Sequence, residues 1–335
     1  MEKLKVFNHP WHLANQHEFA KLPFVDLHWL RQCKRPFGVK TRGQFPVTMV
    51  ESYEPGKYDF ALLHLDNQCV EPEIWARGKG RLYRELNQVI KDIPKIVINH
   101  GTPYYPEKFP STREDGCSDE LVEKMREAIG DNTMVVNSHA AAKQWGFGTP
   151  IVHGIEATEW FDLPKERRVV TMISPGGLDM YYDRQFFAAV KEKLMEDYEI
   201  SLCHITVDWQ SQDFDDYRNF IGRSLVYFNP TRESPMPRSR TEAMLSGCCV
   251  ITTPSQDAGD FIQHGVNGFI TRRDPAHACE LIVWALTHYD EARAIGQKGK
   301  ETAIKLFNKE RYQEEWRQLV SKVMGREIGE PIIKQ

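Results

Sequence analysis

Between residues 233 and 242 the sequence runs Glu-Ser-Pro-Met-Pro-Arg-Ser-Arg-Thr-Glu, two carboxylates enclosing two guanidinium groups. A carboxylate can accept hydrogen bonds from both hydroxyls of a vicinal diol, while arginines and helix-start amides can hold phosphate oxygens. Glu233, Arg238, Arg240 and Glu242 thus divide the work that a nucleotide sugar asks of a protein. The plainer alternative for Glu242 is a pair with Arg238 one helical turn away, on ordinary surface. A second set of candidates follows apolar runs nearer the amino terminus. His9, Trp11, His12 and His17 come after Lys5 to Asn8, then His64, Asp66 and Asn67 end Phe60 to Leu65, and His100 follows Ile96 to Asn99. Trp11 and its histidine neighbours offer a stacking face for a sugar ring, or ordinary packing. Asp66 could be the general base of an inverting transfer, which needs a carboxylate within a hydrogen bond of the attacking hydroxyl; a strand-end cap is the alternative.

Such residues act together only if the backbone delivers them to one edge. Leu225 to Phe228 is a buried strand stopped by Asn229-Pro230, Ser239 to Ser246 is a helix closed by Gly247, and Val250 to Thr252 is a second buried strand. Strand, loop, helix and strand in so short a span make a parallel crossover, whose ligands bind outside the carboxyl ends of the strands. The same alternation extends along the chain. Lys5–Asn8, Val47–Glu51, Phe60–Leu65, Ile96–Asn99 and Met134–Asn137 are predicted strands of a first sheet, with helices over Tyr83–Ile90 and Asp119–Ala128, the latter capped by Ser118. Val169–Ile173, Ile200–Ile205, Leu225–Phe228, Val250–Thr252 and Gly268–Ile270 make a second, with helices over Phe186–Met195 and Ala276–Tyr289. The expected class is α/β with doubly wound parallel sheets. Glu156 to Arg168, charged and interrupted by Pro164, is the predicted linker. A helix over Lys309–Met324 carries Tyr312, Trp316, Leu319 and Val323 on one packing stripe.

Composition limits the alternatives. At 335 residues, 41% of them hydrophobic, the chain exceeds the size at which one core stops growing, so two domains are expected. A formal net charge of -4 gives no nucleic-acid signature, and no apolar run is long enough for a membrane span. The amino terminus enters a strand directly without a secretion-signal core, and seven scattered cysteines show neither a disulfide framework nor metal-ligand spacing, which points to the cytoplasm. The first strand is followed by Asn8-His9-Pro10-Trp11 and not by a Gly-x-Gly-x-x-Gly loop, which argues against a dinucleotide oxidoreductase. Arg31, Lys34, Arg35, Lys40 and Arg42 form a basic cluster that could meet an anionic acceptor or lipid headgroup, or be a solvated face.

Glu242-Ala243-Met244-Leu245-Ser246-Gly247, the later His264-Gly265-Val266-Asn267-Gly268-Phe269 and the intervening Asp260-Phe261-Ile262 resemble the carboxyl-terminal half of GT-B glycosyltransferases, specifically family 4. Val135 to Ala142 and Ile151 to Phe161 resemble the end of that family's first domain. The resemblance covers about residues 95 to 320 and departs twice. Glu233 and Glu242 are one residue farther apart than is usual, and the Arg and Lys that neutralise the diphosphate are missing from the stretch Val169 to Arg184. Arg184, Arg238 or Arg240 would substitute, with Gly176 and Gly177 permitting close backbone approach to phosphate.

The resemblance implies two Rossmann-like doubly wound domains, 1–160 on the acceptor side and 161–308 on the nucleotide-sugar side, facing a central cleft, with 309–335 crossing back to the first. It implies a hexosyltransferase using a nucleotide sugar, UDP or GDP first, without a metal or other cofactor and with retention at the anomeric carbon. Glu242 would hold ribose, Glu233 the transferred sugar's hydroxyls, His100 that sugar's far side, and Arg238 with Arg184 the departing diphosphate. The acceptor would be a glycan, a lipid-linked glycan or a small molecule, with peripheral contact at the inner face of a membrane allowed and nucleic acid not expected. A GT-B sugar-nucleotide epimerase and an inactive sugar-nucleotide-binding subunit or sensor are the competing expectations.

Overall fold

The computed structural model describes residues 3–32, 47–173, 181–205 and 213–329. The chain forms two compact units, Met1–Gly154 together with Lys309–Gln335, and Ile155–Asn308. Gly176, Gly177, Lys34, Arg35, Lys40 and Arg42 lie outside the described residues.

In the first unit the strands are β1 Leu4–Asn8, β2 Val25–Leu30, β3 Thr48–Val50, β4 Phe60–Leu65, β5 Lys95–Asn99, β6 Thr133–Val136 and β7 Thr149–Pro150, in the spatial order β3-β2-β1-β4-β5-β6-β7. Every pairing is parallel. The helices are α1 Leu13–Ala20, α2 Pro72–Arg77, α3 Lys79–Val89, α4 Asp119–Ile129 and α5 His139–Trp145. Because successive side chains point to opposite faces, Val6, Phe60, Leu62, Ile96 and Ile98 build one core while Phe7, Ala61, Leu63, Leu65 and Val97 build another across the sheet. Both faces are covered, which is why β4 is apolar almost without interruption. Ser118 caps α4 by accepting from the Leu121 amide, and Asp119 and Glu120 suit its positive first turn. The sequence reading has no element at Val25–Leu30; there Asp26 and His28 alternate with apolar residues, the period of a strand that is only half-buried at those two positions.

The second unit contains β8 Glu166–Thr171, β9 Leu202–His204, β10 Ser224–Asn229, β11 Cys249–Thr252 and β12 Phe269–Ile270, ordered β12-β11-β10-β8-β9 and again parallel. Its helices are α6 Arg184–Tyr198, α7 Phe214–Arg223, α8 Arg238–Leu245, α9 Ala258–Phe261, α10 Pro275–Thr287 and α11 Tyr289–Leu306. Helix α8 ends in a hydrogen-bonded reversal: the Cys248 amide donates to Ala243 O at 3.0 Å and the Gly247 amide to Met244 O at 2.9 Å. Gly247 has φ +71°, and a Cβ there would lie 2.6 Å from Asp162 Oδ1, so both backbone and space require glycine.

The predicted linker is corrected by the same region. Residues from Ile155 onward belong to the second unit, Trp160 and Lys165 are buried, and Glu166 already opens β8. Lys165 Nζ donates to Gly222 O at 2.7 Å and to Ser246 O, carbonyls at the ends of α7 and α8, and pairs with Asp162 at 3.4 Å. A charged segment looks like a tether in sequence, but this ammonium is consumed by two negative helix ends.

Helix α12, Lys309–Met324, returns the chain to the first unit, where Tyr312, Trp316, Leu319 and Val320 join the core of Val6 and Phe19. Trp316 is 1% exposed and meets the Phe19 ring edge-on at 4.9 Å between centroids. Trp316→Ala is expected to destabilise the protein by about 3–5 kcal/mol in urea unfolding. A loss below ~1 kcal/mol would show that α12 adds little to that core.

Candidate functional site

Parallel sheets of this kind bind ligands where the strand order reverses, outside the carboxyl ends. In the second unit the reversal lies between β8 and β10, whose pairing joins Val226 to Val169. The loop leaving β10 carries Glu233, and α8, which follows it, carries Arg238, Arg240 and Glu242. The start of the loop is fixed from beneath. Asn229 Nδ2 donates to Tyr227 Oη at 2.7 Å, Tyr227 Oη meets Ser239 Oγ at 2.9 Å, and Thr231 Oγ1 donates to Asn229 Oδ1.

Glu242 is 2% exposed, with Oε1 accepting from Arg238 Nε and Oε2 from Tyr217 Oη, both at 3.0 Å. The plain helical pair with Arg238 is therefore present, and Tyr217 of α7 completes it. Tyr217 was not a sequence candidate, since nothing local links position 217 to 242. Glu233 has different company, accepting from Gln256 Nε2 at 2.6 Å in the loop after β11. Arg184 opens α6 on the surface. Immediately before it, Asp183 is shared by Arg232 at 3.1 Å and Arg273 at 3.4 Å, and Arg273 Nη2 also donates to Thr231 O at 3.0 Å. Burial lowers the Arg273 pKa, with the neighbouring Arg232 charge acting in the same direction and Asp183 opposing. Glu233 also acts on Arg273, so two guanidinium groups and two carboxylates share this edge. Arg232 could have been singled out by its place beside Glu233; Arg273, after the last strand, reaches the group only through the fold.

The first unit reverses its order between β1 and β4, and the histidine-bearing strand ends converge there. A buried chain of polar side chains runs across them. Asn8 Nδ2 donates to Gln16 Oε1 at 2.5 Å, Gln16 Nε2 meets His64 Nε2 at 2.7 Å, His64 Nδ1 meets His100 Nε2 at 2.8 Å, and His100 Nδ1 meets Asn137 Nδ2 at 3.1 Å. A neutral imidazole has one donor and one acceptor, so the amide nitrogens of Gln16 and Asn137 cannot both donate into these two rings; with the Asn137 amide turned to present Oδ1, Gln16 Nε2 donates to His64 Nε2, His64 Nδ1 to His100 Nε2 and His100 Nδ1 to Asn137, and the side chains orient as one system. Both ring nitrogens of His100 are thus engaged inside the first unit. His12, exposed at the start of α1, lies edge-on to the His100 ring at 4.4 Å.

His9 is buried beside this chain and accepts from the His64 amide through Nδ1 at 3.4 Å. Burial lowers the His9 pKa from 6.5 to about 4 and pushes that of His64 well down, the latter helped by the His9 and His12 charges. Asp66 is 5% exposed, receives the Gln68 amide at 3.0 Å and pairs with Lys79, which also lies over the Trp11 ring at 5.6 Å. It therefore performs the strand-end capping that was the plainer expectation. His9, His12, Asp66 and His100 gather at the edge of the first sheet, and Arg184, Glu233, Arg238 and Glu242 at that of the second.

Residues 182–320 match the model of the glycosyl transferase-like family. None of the curated proteins matches the chain. Among solved structures, HepE from Anabaena in complex with UDP and glucose is similar at 13% identity and a TM-score of 0.66, over 95% of this chain and 100% of HepE. Sucrose-phosphate synthase from Thermosynechococcus elongatus is similar at 14% identity and a TM-score of 0.65, over 97% and 100%. TarM from S. aureus in complex with Fondaparinux, alpha-GlcNAc-glycerol and UDP is similar at 13% identity and a TM-score of 0.60, over 77% of this chain and 55% of TarM. At such identities the likeness is one of fold. Among the described residues no helix is long and apolar enough to cross a membrane.

Proposed function

We propose that this chain, whose residues 182–320 match the model of the glycosyl transferase-like family, is a GT-B glycosyltransferase that moves a hexosyl group from a UDP-sugar to an acceptor hydroxyl, with retention and without a metal. The observation that carries this reading is the edge of the second sheet, where the buried carboxylate of Glu242 is held between Tyr217 and Arg238 and where Arg232 and Arg273 are gathered on Asp183. Glu242, with its oxygens oriented, receives the ribose hydroxyls; Glu233, on the more open loop, faces the sugar. UDP is favoured over GDP because HepE and TarM are solved with UDP.

In the proposed step the bond between the anomeric carbon and the diphosphate oxygen breaks, its electron pair leaving with the diphosphate. The acceptor oxygen bonds that carbon from the same face, and its proton passes to a departing phosphate oxygen. No protein base is then needed, in keeping with an Asp66 committed to Lys79 and the Gln68 amide. Charge developing on the diphosphate is stabilised by the arginines of this edge. At the first sheet, the exposed His12 ring lies edge-on to His100, and the two imidazoles are the residues proposed to meet a sugar. The acceptor is a glycan, a lipid-linked glycan or a small molecule.

Calorimetry with UDP-, GDP-, ADP- and TDP-sugars, with and without Mg²⁺, followed by NMR of the products, tests the reading. Selective binding of a UDP-sugar that survives chelation of divalent ions, and a product with the donor's anomeric configuration, are expected. Absence of binding by every nucleotide sugar would overturn it.

A further inference from the structure

Among the described residues, Arg240 is a buried cation with no anion bonded to it. Its side chain is 1% exposed, Nε and Nη1 have no hydrogen-bond partner, and Nη2 faces the Met236 sulfur at 3.6 Å. Burial lowers its pKa to about 10, which leaves it charged at neutral pH, and Tyr227 and Asp257 act on it only through space. The other arginines of this edge differ. Among the described residues, Arg238 is bonded to Glu242, and Arg232 and Arg273 to Asp183. A guanidinium group withdrawn from water without a compensating hydrogen bond is destabilising, and few buried polar groups are left in that state.

Its position gives the imbalance a use. Arg240 is the third residue of α8, whose N-cap position is Pro237 and has no side-chain cap, so the positive end of the helix and the unbonded guanidinium occur in one turn at the carboxyl edge of the sheet. Met236 and the half-buried Phe261, whose ring lies 5.8 Å from the guanidinium carbon, cover it. An unbranched thioether is an adaptable cover that a ligand can displace.

We infer that Arg240 is a phosphate-binding residue for the donor: the diphosphate, arriving at the first turn of α8, supplies the anion that the side chain lacks. The inference rests on the nucleotide-sugar reading above and adds to it the residue that reads the phosphates. Arg238, already bonded to Glu242, then serves chiefly to orient that carboxylate.

The test compares binding of UDP with that of uridine by calorimetry, together with thermal melting of the unliganded protein, for the wild type, Arg240→Met and Arg240→Lys. The expected result is that Arg240→Met lowers the UDP-to-uridine affinity ratio roughly 10- to 100-fold and leaves uridine binding unchanged. Arg240→Lys should recover part of the ratio, because a point charge replaces the fork. The unliganded Arg240→Met protein should melt no lower than the wild type, since a buried charge without a partner has been removed. An unchanged ratio in folded Arg240→Met and Arg240→Lys, or a lower melting temperature with the ratio kept, would make Arg240 a structural residue and overturn the inference. Failure of the wild type to bind UDP or any other nucleoside diphosphate would instead sink the donor reading, and this inference with it.

Discussion

Glu242→Ala is expected to lower the protein's unfolding free energy by about 3 kcal/mol and its nucleotide-sugar affinity by at least ~100-fold. The stability loss follows from the partners left behind. Arg238, with 14% of its side chain exposed, would keep a positive charge without its carboxylate, and the Tyr217 hydroxyl would lose its acceptor at 3.0 Å. Breaking a buried pair by removing one member is costly for that reason, whatever the intact pair contributes. The affinity loss follows from the proposed ribose contact. Glu242→Gln separates the two effects: its amide can still bridge Tyr217 and Arg238, so it should fold with a smaller stability loss, yet a neutral group is a weaker acceptor for a diol. Urea unfolding and calorimetry on both variants are the measurements. Wild-type affinity in a destabilised Glu242→Ala protein would reduce Glu242 to a helical brace.

Acidification should unfold the first unit through its histidines. His9 has a folded pKa of about 4 against 6.5 in the unfolded chain, and His64 is shifted the same way. The folded state therefore binds fewer protons than the unfolded state between those values, and stability falls as pH falls through that window. Above about pH 7.5 both states hold these rings neutral and the effect vanishes. His9 alone accounts for about 2 to 3 kcal/mol lost at pH 4.5, with His64 adding to it. Because carboxylates titrate nearby in pH, the decisive measurement is a difference: urea unfolding at pH 7.5 and 4.5 for the wild type and His9→Gln. The wild type should lose more than the variant; equal losses would show that His9 is not the group responsible.

Much of the architecture was legible because it depends on local pattern. The strands around Phe60–Leu65, Leu225–Phe228 and Val250–Thr252 announce themselves as apolar runs with turn residues after them, and Ser118 and Gly247 mark helix ends by chemistry that operates within a few residues. Val25–Leu30 was passed over because Asp26 and His28 interrupt the run, and residues 155 to 165 read as a tether because Lys165 has no visible use until Gly222 and Ser246 are folded against it. The match of residues 182–320 to the glycosyl transferase-like family agrees with the motif Glu242 to Gly247.

The candidate site divides along the same line. Sequence alone determined that carboxylates, arginines and histidines stand just after strands, since position along the chain and the direction of a parallel crossover deliver them to carboxyl edges. Only tertiary structure decided what each side chain is free to do. Hydrogen-bond partners and solvent are set by distant segments: Tyr217 for Glu242, Asp183 for Arg232 and Arg273, Lys79 for Asp66, and Gln16, His64 and Asn137 for the histidine chain that engages both nitrogens of His100. Arg238 and Arg240, two residues apart, look alike in sequence. Helical geometry turns one toward Glu242 and buries the other with no anion among the described residues, and that difference in environment separates a paired charge from one that a phosphate can complete.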